Sequence, residues 1–180
     1  MIETDLLRSC QMGDKKAQEL LFAGYSDRMY RLSYRYVRTQ PDAEDVMIAA
    51  FTKVFREIGK FSHSGEGSLE AWIRKIVVNE SLMWLRQRHN FMMAENIDLN
   101  FPEPDLSLLT SLEAEDILTM ISRLPTGYRT VFNLFVIDGF NHKEIASMLE
   151  ITENTSRSQL FKAKSLLQKM LIREGFQYGT

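Results

Sequence analysis

The chain has 180 residues, 44 % of them hydrophobic, and a formal net charge of −2 at pH 7. That length holds one large domain or two small ones, the apolar fraction is that of a folded globular protein, and the charge excludes a uniformly basic coat for nucleic acid. The single cysteine, Cys10, excludes an internal disulfide and fits a reducing compartment, the cytosol. The first residues, Met1-Ile2-Glu3-Thr4-Asp5, are acidic and precede no long apolar run, so no signal peptide is expected there. No segment reaches the about 18 consecutive apolar residues of a membrane span, so no membrane insertion is expected.

Nearly everything between the four prolines has helical period. Leu6, Leu7 and Cys10 form a short first face, and Gly13-Asp14 breaks it. Asp14 caps a helix that runs toward Arg38, with Ala17, Leu20, Leu21, Tyr25, Met29, Leu32 and Tyr36 as its apolar repeat. Pro41 starts the next helix, with Asp42, Glu44 and Asp45 in the first turn, where carboxylates favour the helix dipole. Val46, Ala50, Val54 and Ile58 share one of its faces. Phe61 to Gly67 reads as a loop, and Ser68 caps a helix to about His89 with Leu69, Trp72, Ile73, Ile76 and Leu85 inside. From Asn90 to Leu106 the helical signal fails, and the segment reads as a mobile linker that buries little. A second helical block starts near Ser107, turns at Leu124-Pro125, continues through Ile137 and turns again at Asp138-Gly139.

The last third reads as a helix-turn-helix. Ile145, Ala146 and Leu149 lie on one face of its first helix, Ile151 plugs the turn, and Thr152 caps the second helix. Leu160, Ala163 and Leu167 carry that helix's buried face. Ser156, Arg157, Gln159 and Lys162 then fall away from the core, as short polar and basic side chains of a recognition helix do. An ordinary helical hairpin with a solvated basic face is the competing reading. The charge pattern is uneven: His89 to Ser122 holds no Lys or Arg but includes Glu95, Asp98, Glu103, Asp105, Glu113, Glu115 and Asp116. Mixed or mildly basic blocks flank this acidic segment.

The helix from Ser68 to His89 is a second nucleic-acid candidate. Arg74, Lys75, Arg86 and Arg88 offer phosphate contacts, and Asn79 offers a donor and an acceptor to a base edge. Trp72 reads as core and Trp84 as the more exposed ring. Asp42, Glu44 and Asp45 are either a helix-start stabiliser or a docking face for basic side chains. His63, His89 and His142 are scattered without metal-ligand spacing, and there is no phosphate loop or nucleophile elbow. No enzyme activity, cofactor, metal or small-molecule substrate is therefore expected.

These residues resemble a known family. The run Asp42-Ala43-Glu44-Asp45-Val46 with Phe51 and Phe55 is similar to the core-binding helix of bacterial sigma factors. Ala71-Trp72-Ile73-Arg74-Lys75-Ile76-Val77-Val78-Asn79-Glu80 resembles the helix by which the extracytoplasmic-function (ECF) group reads and melts the promoter minus-ten element. Leu124-Pro125, Tyr128-Arg129, Val131-Phe132, Gly139, Glu144-Ile145-Ala146 and Thr155 resemble the domain that reads the minus-thirty-five element. The order, spacing and linker match over about residues 5 to 172. Asn154-Thr155-Ser156 with Ser158-Gln159-Leu160 is most similar to sigma factors of the Bacteroidetes lineage.

The resemblance implies an all-α chain of two small helical domains, 1–90 and 107–180, joined by a flexible acidic linker, 91–106. The first domain docks on the β′ clamp helices of core RNA polymerase through Asp42, Glu44, Asp45 and Phe51. It reads minus-ten promoter DNA through Arg74, Lys75, Asn79, Arg86 and Arg88, with a flipped base held near Asn79 and the Phe61–Gly67 loop. The second reads minus-thirty-five DNA through Thr155, Ser156, Arg157, Ser158, Gln159, Phe161 and Lys162 while docking on the β flap. The linker enters the polymerase's basic channels, and an anti-sigma factor is a further expected partner. Two positions depart from the family pattern. Ile48-Ala49 stands where Gln-Glu is common, which removes polar partners from the docking face. Gln159 stands where many relatives have Arg, which shifts base preference from guanine toward adenine. A stand-alone helix-turn-helix repressor is the alternative, but no ligand pocket or dimer interface is marked. An adaptor that has lost promoter reading is another.

Overall fold

The computed structural model describes residues 3–89, 91, 103–107 and 113–174, and every regular element among them is a helix. They belong to two compact units, whose boundary falls between Leu85 and Arg86 in the last turn of the fourth helix.

The first unit holds α1 (Glu3–Gln11), α2 (Lys15–Val37), α3 (Gln40–Glu57), a 3-10 turn (Ile58–Lys60) and most of α4 (Ser68–Arg88). Asp14 caps α2 as its sequence position suggests, accepting from Lys16 N at 2.9 Å. The helix ends on Arg38, whose φ of 70° is left-handed, and its amide donates to Tyr34 O. Thr39 then caps α3, a role absent from the sequence reading, by accepting from Asp42 N at 3.3 Å. Helix α3 thus begins at Gln40, and of the three carboxylates only Asp42 remains in the first turn. Ser68 does not cap α4 but begins it; its hydroxyl accepts from Ser64 N across the preceding loop. Leu21, Met29, Leu32 and Tyr36 of α2 meet Val46, Ala50 and Val54 of α3 and Leu69, Ile73, Leu82 and Leu85 of α4 in the core. Leu20 departs from the expected apolar repeat and is 55 % exposed. Gln11 ties α1 to this core by donating to Ile58 O and Phe61 O.

The second unit holds α5 (Ala114–Ser122), α6 (Thr126–Phe132), a π turn that continues α6 (Asn133–Ile137), α7 (His142–Leu149) and α8 (Glu153–Arg173). The first α-helix described in this block begins at Ala114; residues 108–112, just after the expected start near Ser107, lie outside the described residues. Ile121, Leu124, Val131, Phe132, Leu134, Ile145, Leu149, Leu160, Ala163, Leu167 and Leu171 form its core. Most of the expected linker, 92–102, also lies outside the described residues. Its described members depart from the expectation of an unpacked tether. Phe91 is buried, and Glu103 ion-pairs with Lys164 of α8.

Candidate polymerase and promoter interfaces

Helix α4 is buried almost all round, which leaves one narrow solvent stripe. Lys75, Asn79, Met83 and Arg86 are spaced to fall on it, and all are exposed. Arg74 lies off this stripe and is half-buried, and Arg88, though exposed, lies off it too. Trp72 is half-buried against Phe61, with ring centroids 4.9 Å apart, so it props the loop before α4. Trp84 is half-buried as well. Next to Asn79, Glu80 points inward and ion-pairs with Lys53 of α3 at 3.2 Å. The sequence reading missed this pair, because a lone Glu in an apolar run carries no mark of its partner. Arg86, the first residue of the second unit, is paired with Glu150 of that unit at 2.7 Å.

On α3, Glu44 and Asp45 are exposed and Asp42 is half-buried. Phe51 lies elsewhere: it is 2 % exposed and packs edge-on against Phe22, centroids 4.8 Å apart. It lies beneath the surface instead of presenting itself. An open groove of about 570 Å³ runs beside the carboxylates, lined by Phe22, Tyr30, Gln40, Glu44, Met47 and Ile48. Ile48, one of the two departures from the family pattern, is 57 % exposed there.

The helix-turn-helix is assembled by local rules. Asn141 and Glu144 make a reciprocal capping box at the start of α7, at 3.0 and 2.8 Å. Glu150 turns left-handed at φ 57°, and Ile151 N donates to Ala146 O to close the helix. Thr152 caps α8 as expected, accepting from Thr155 N at 3.0 Å. The side chains of α8 divide differently from the sequence reading. Ser156, Ser158 and Gln159 are buried, not turned away from the core. Arg157 is exposed, Phe161 and Lys162 are half-buried, and Thr155 is half-buried beside its cap. Asn154, Arg157 and Phe161 share the outward face by helical spacing; Asn154 is not among the DNA contacts expected from sequence. Lys162 lies over the Tyr128 ring, 6.0 Å from its centroid. Gln159 Nε2 donates to Phe91 O at 3.0 Å, while its Oε1 has no hydrogen-bond partner among the described residues. A Cβ on Gly127 would lie 2.7 Å from that oxygen, so the missing side chain on α6 makes room for the carboxamide. His142 is half-buried, and its Nδ1 lies 2.9 Å from Ser156 Oγ.

Two region models of one family match in chain order: sigma-70 region 2 over residues 21–91, and sigma-70 region 4 over residues 114–167. The chain is 28 % identical to the ECF RNA polymerase sigma-E factor of Haemophilus influenzae, over 92 % of this chain and 93 % of that protein. It belongs to the ECF group of the sigma-70 family. The sigma-H factor of Pseudomonas aeruginosa is 26 % identical over 94 % of this chain and 93 % of its own length. A solved structure of CnrH in complex with the cytosolic domain of CnrY shares the fold, with a TM-score of 0.52 at 19 % identity, covering 94 % of this chain and 97 % of that one. This sigma factor therefore serves core RNA polymerase in promoter-specific initiation; it is an initiation factor and not an enzyme. Among the described residues no helix is long and apolar enough to cross a membrane.

Proposed function

We propose that this sigma factor divides its work between residues 1–90 and residues 107–180, with 91–106 as the connection. In the first part, Asp42, Glu44 and Asp45 face the β′ clamp helices, and the Met47–Ile48 groove beside them takes an apolar side chain of the same surface. Lys75 and Asn79 meet the minus-ten strand, Lys75 by charge and Asn79 by its amide, with Arg74, Arg86 and Arg88 as nearby cations. In the second part, Thr155, Arg157, Phe161 and Lys162 meet the minus-thirty-five duplex while the domain docks on the β flap. Ser156, Ser158 and Gln159 support that face from inside, and Gln159 reads adenine only once it lets go of the Phe91 carbonyl. An anti-sigma factor is the expected regulator and the cytoplasm the expected compartment. The Asn154–Leu160 run supports a place in the Bacteroidetes lineage.

The observation that carries this reading is the stripe of α4. Asn79 is a polar, helix-unfavourable residue held exposed in mid-helix, with Lys75 one turn before it and the unit's core behind it. Asn79→Ala should leave holoenzyme assembly unchanged and cut promoter opening by about fivefold to a hundredfold, since losing a base-edge pair costs about 1–3 kcal/mol. Assembly is measured by co-elution with core polymerase, opening by permanganate-reactive thymines. Equal loss of both, or of neither, would remove Asn79 from the melting role.

A further inference from the structure

His142 is the first residue of α7, and its ring touches two other elements. It stacks on Phe135 of the π turn, with centroids 4.5 Å apart and planes 24° apart. Its Nδ1 meets the Ser156 hydroxyl in the first turn of α8 at 2.9 Å. Ser156 is fully buried, so that hydroxyl is out of reach of DNA and faces the interior. The next residue, Arg157, is half exposed, with side-chain accessibility of 51 %. A rotation of α8 that moved Ser156 would carry Arg157 with it, because adjacent residues of a helix turn together.

We propose that His142 is a positioning residue for the recognition helix. Through its bond to Ser156, with the ring seated on Phe135, it fixes the rotation of the first turn of α8, the bond carrying most of the effect, and so sets minus-thirty-five discrimination without touching a base. The inference rests on the reading of α8 as the minus-thirty-five element's partner.

The chemistry suits a fixed clasp. Glu153, Arg157 and Lys164 of α8 are the charged groups that act on the ring. Burial, with Arg157 and Lys164, holds its pKa below the usual histidine value, against the opposing pull of Glu153. The neutral ring has one donor and one acceptor nitrogen, and a serine hydroxyl pairs with either. Thr152 secures the same turn from its other end by capping Thr155 N. Cap and clasp therefore fix the first turn at successive residues, Thr155 and Ser156.

The test uses the full chain in holoenzyme. The wild type first selects a preferred promoter from a duplex library with a randomised minus-thirty-five segment. The readout is the transcription ratio between that promoter and one with the segment scrambled. His142→Phe keeps an aromatic stack and loses the bond. His142→Asn loses the stack and places a carboxamide near the site of Nδ1. Ser156→Ala removes the other half of the bond. The expected result is a ratio lowered about fivefold by His142→Phe and by Ser156→Ala, as befits one buried hydrogen bond. The double variant should be no worse than either, His142→Asn should recover most of the ratio, and core-polymerase binding should be unchanged in all of them. An unchanged ratio in His142→Phe, or His142→Asn as poor as His142→Phe, overturns the proposal. A wild-type ratio of one overturns the reading of α8 and the proposal with it.

Discussion

The solvent stripe of α4 and the buried polar set of α8 put similar side chains in opposite environments. Asn79 is exposed on a helix otherwise wrapped by its unit's core. Gln159, also a carboxamide on a helix proposed to meet DNA, is buried against Gly127 and holds the Phe91 carbonyl. The first unit's interior holds apolar contacts, the Lys53–Glu80 ion pair and the serines Ser33 and Ser81 bonded to their own helices, while Lys75 and Asn79 stand exposed. The second unit spends polar residues of α8, Ser156 and Gln159, on its own assembly. Polarity on a recognition helix therefore does not by itself identify a base contact.

The largest effect is expected where the first unit breaks its own rule. Lys53→Met leaves the buried Glu80 carboxylate without its ion pair and should destabilise the unit by about 2 kcal/mol, less than for a fully buried pair because Lys53 is partly solvated. Urea unfolding followed by tryptophan fluorescence reads this unit, since Trp72 and Trp84 both lie on α4. A loss under about 0.5 kcal/mol, the range of ordinary surface changes, would show that Glu80 is well served without Lys53.

The two carboxamides give the direct contrast. Gln159→Ala should cost about 1 kcal/mol, the net worth of a buried hydrogen bond, whereas Asn79→Ala should stay within about 0.5 kcal/mol. Hydrogen exchange over residues 113–174 and tryptophan-monitored unfolding measure them separately. Equal costs would erase the distinction between the units.

A smaller change of opposite sign is expected at Glu150, which is left-handed at φ 57°. Glu150→Gly relieves that strain and should stabilise the second unit by about 0.5–1 kcal/mol, after the loss of the exposed Arg86 pair, which contributes little. Thermal unfolding checks it, and a fall in melting temperature would mean the ion pair outweighs the strain.

The smallest effect is on pH dependence. His142 has a folded-state pKa below its ordinary value of 6.5, mainly through burial. The unfolded chain then binds the proton more readily, so stability is full above pH 6.5 and declines as the pH falls below it. His142→Asn should flatten this decline in a denaturant series between pH 7 and pH 5.

The helices were legible because their apolar spacing and breakers are local: Asp14 and Thr152 cap as read, and Val46, Ala50, Val54 and Ile58 share a buried face. The family and its two regions were legible from ordered motifs. The orientation of α8 was not. Ser156, Ser158 and Gln159 are polar, and the hydrophobic pattern assigns polar residues outward. What surrounds Ser156 and Gln159, His142 for the first and Gly127 and Phe91 for the second, is distant in sequence and unmarked by spacing. Phe51 was assigned to the docking face by the family resemblance alone, and its burial could not be read because Phe22 on α2, distant in sequence, takes up its ring.

The central claim is that this chain directs core RNA polymerase to promoters, and run-off transcription tests it most directly. Core polymerase with and without the chain is given a library of promoter-length duplexes, and transcript 5′ ends are sequenced. The expected result is a set of start sites that appears only with the chain and shares two upstream elements at fixed separation. No chain-dependent start sites, from a chain that still binds duplex DNA by itself, would contradict the account.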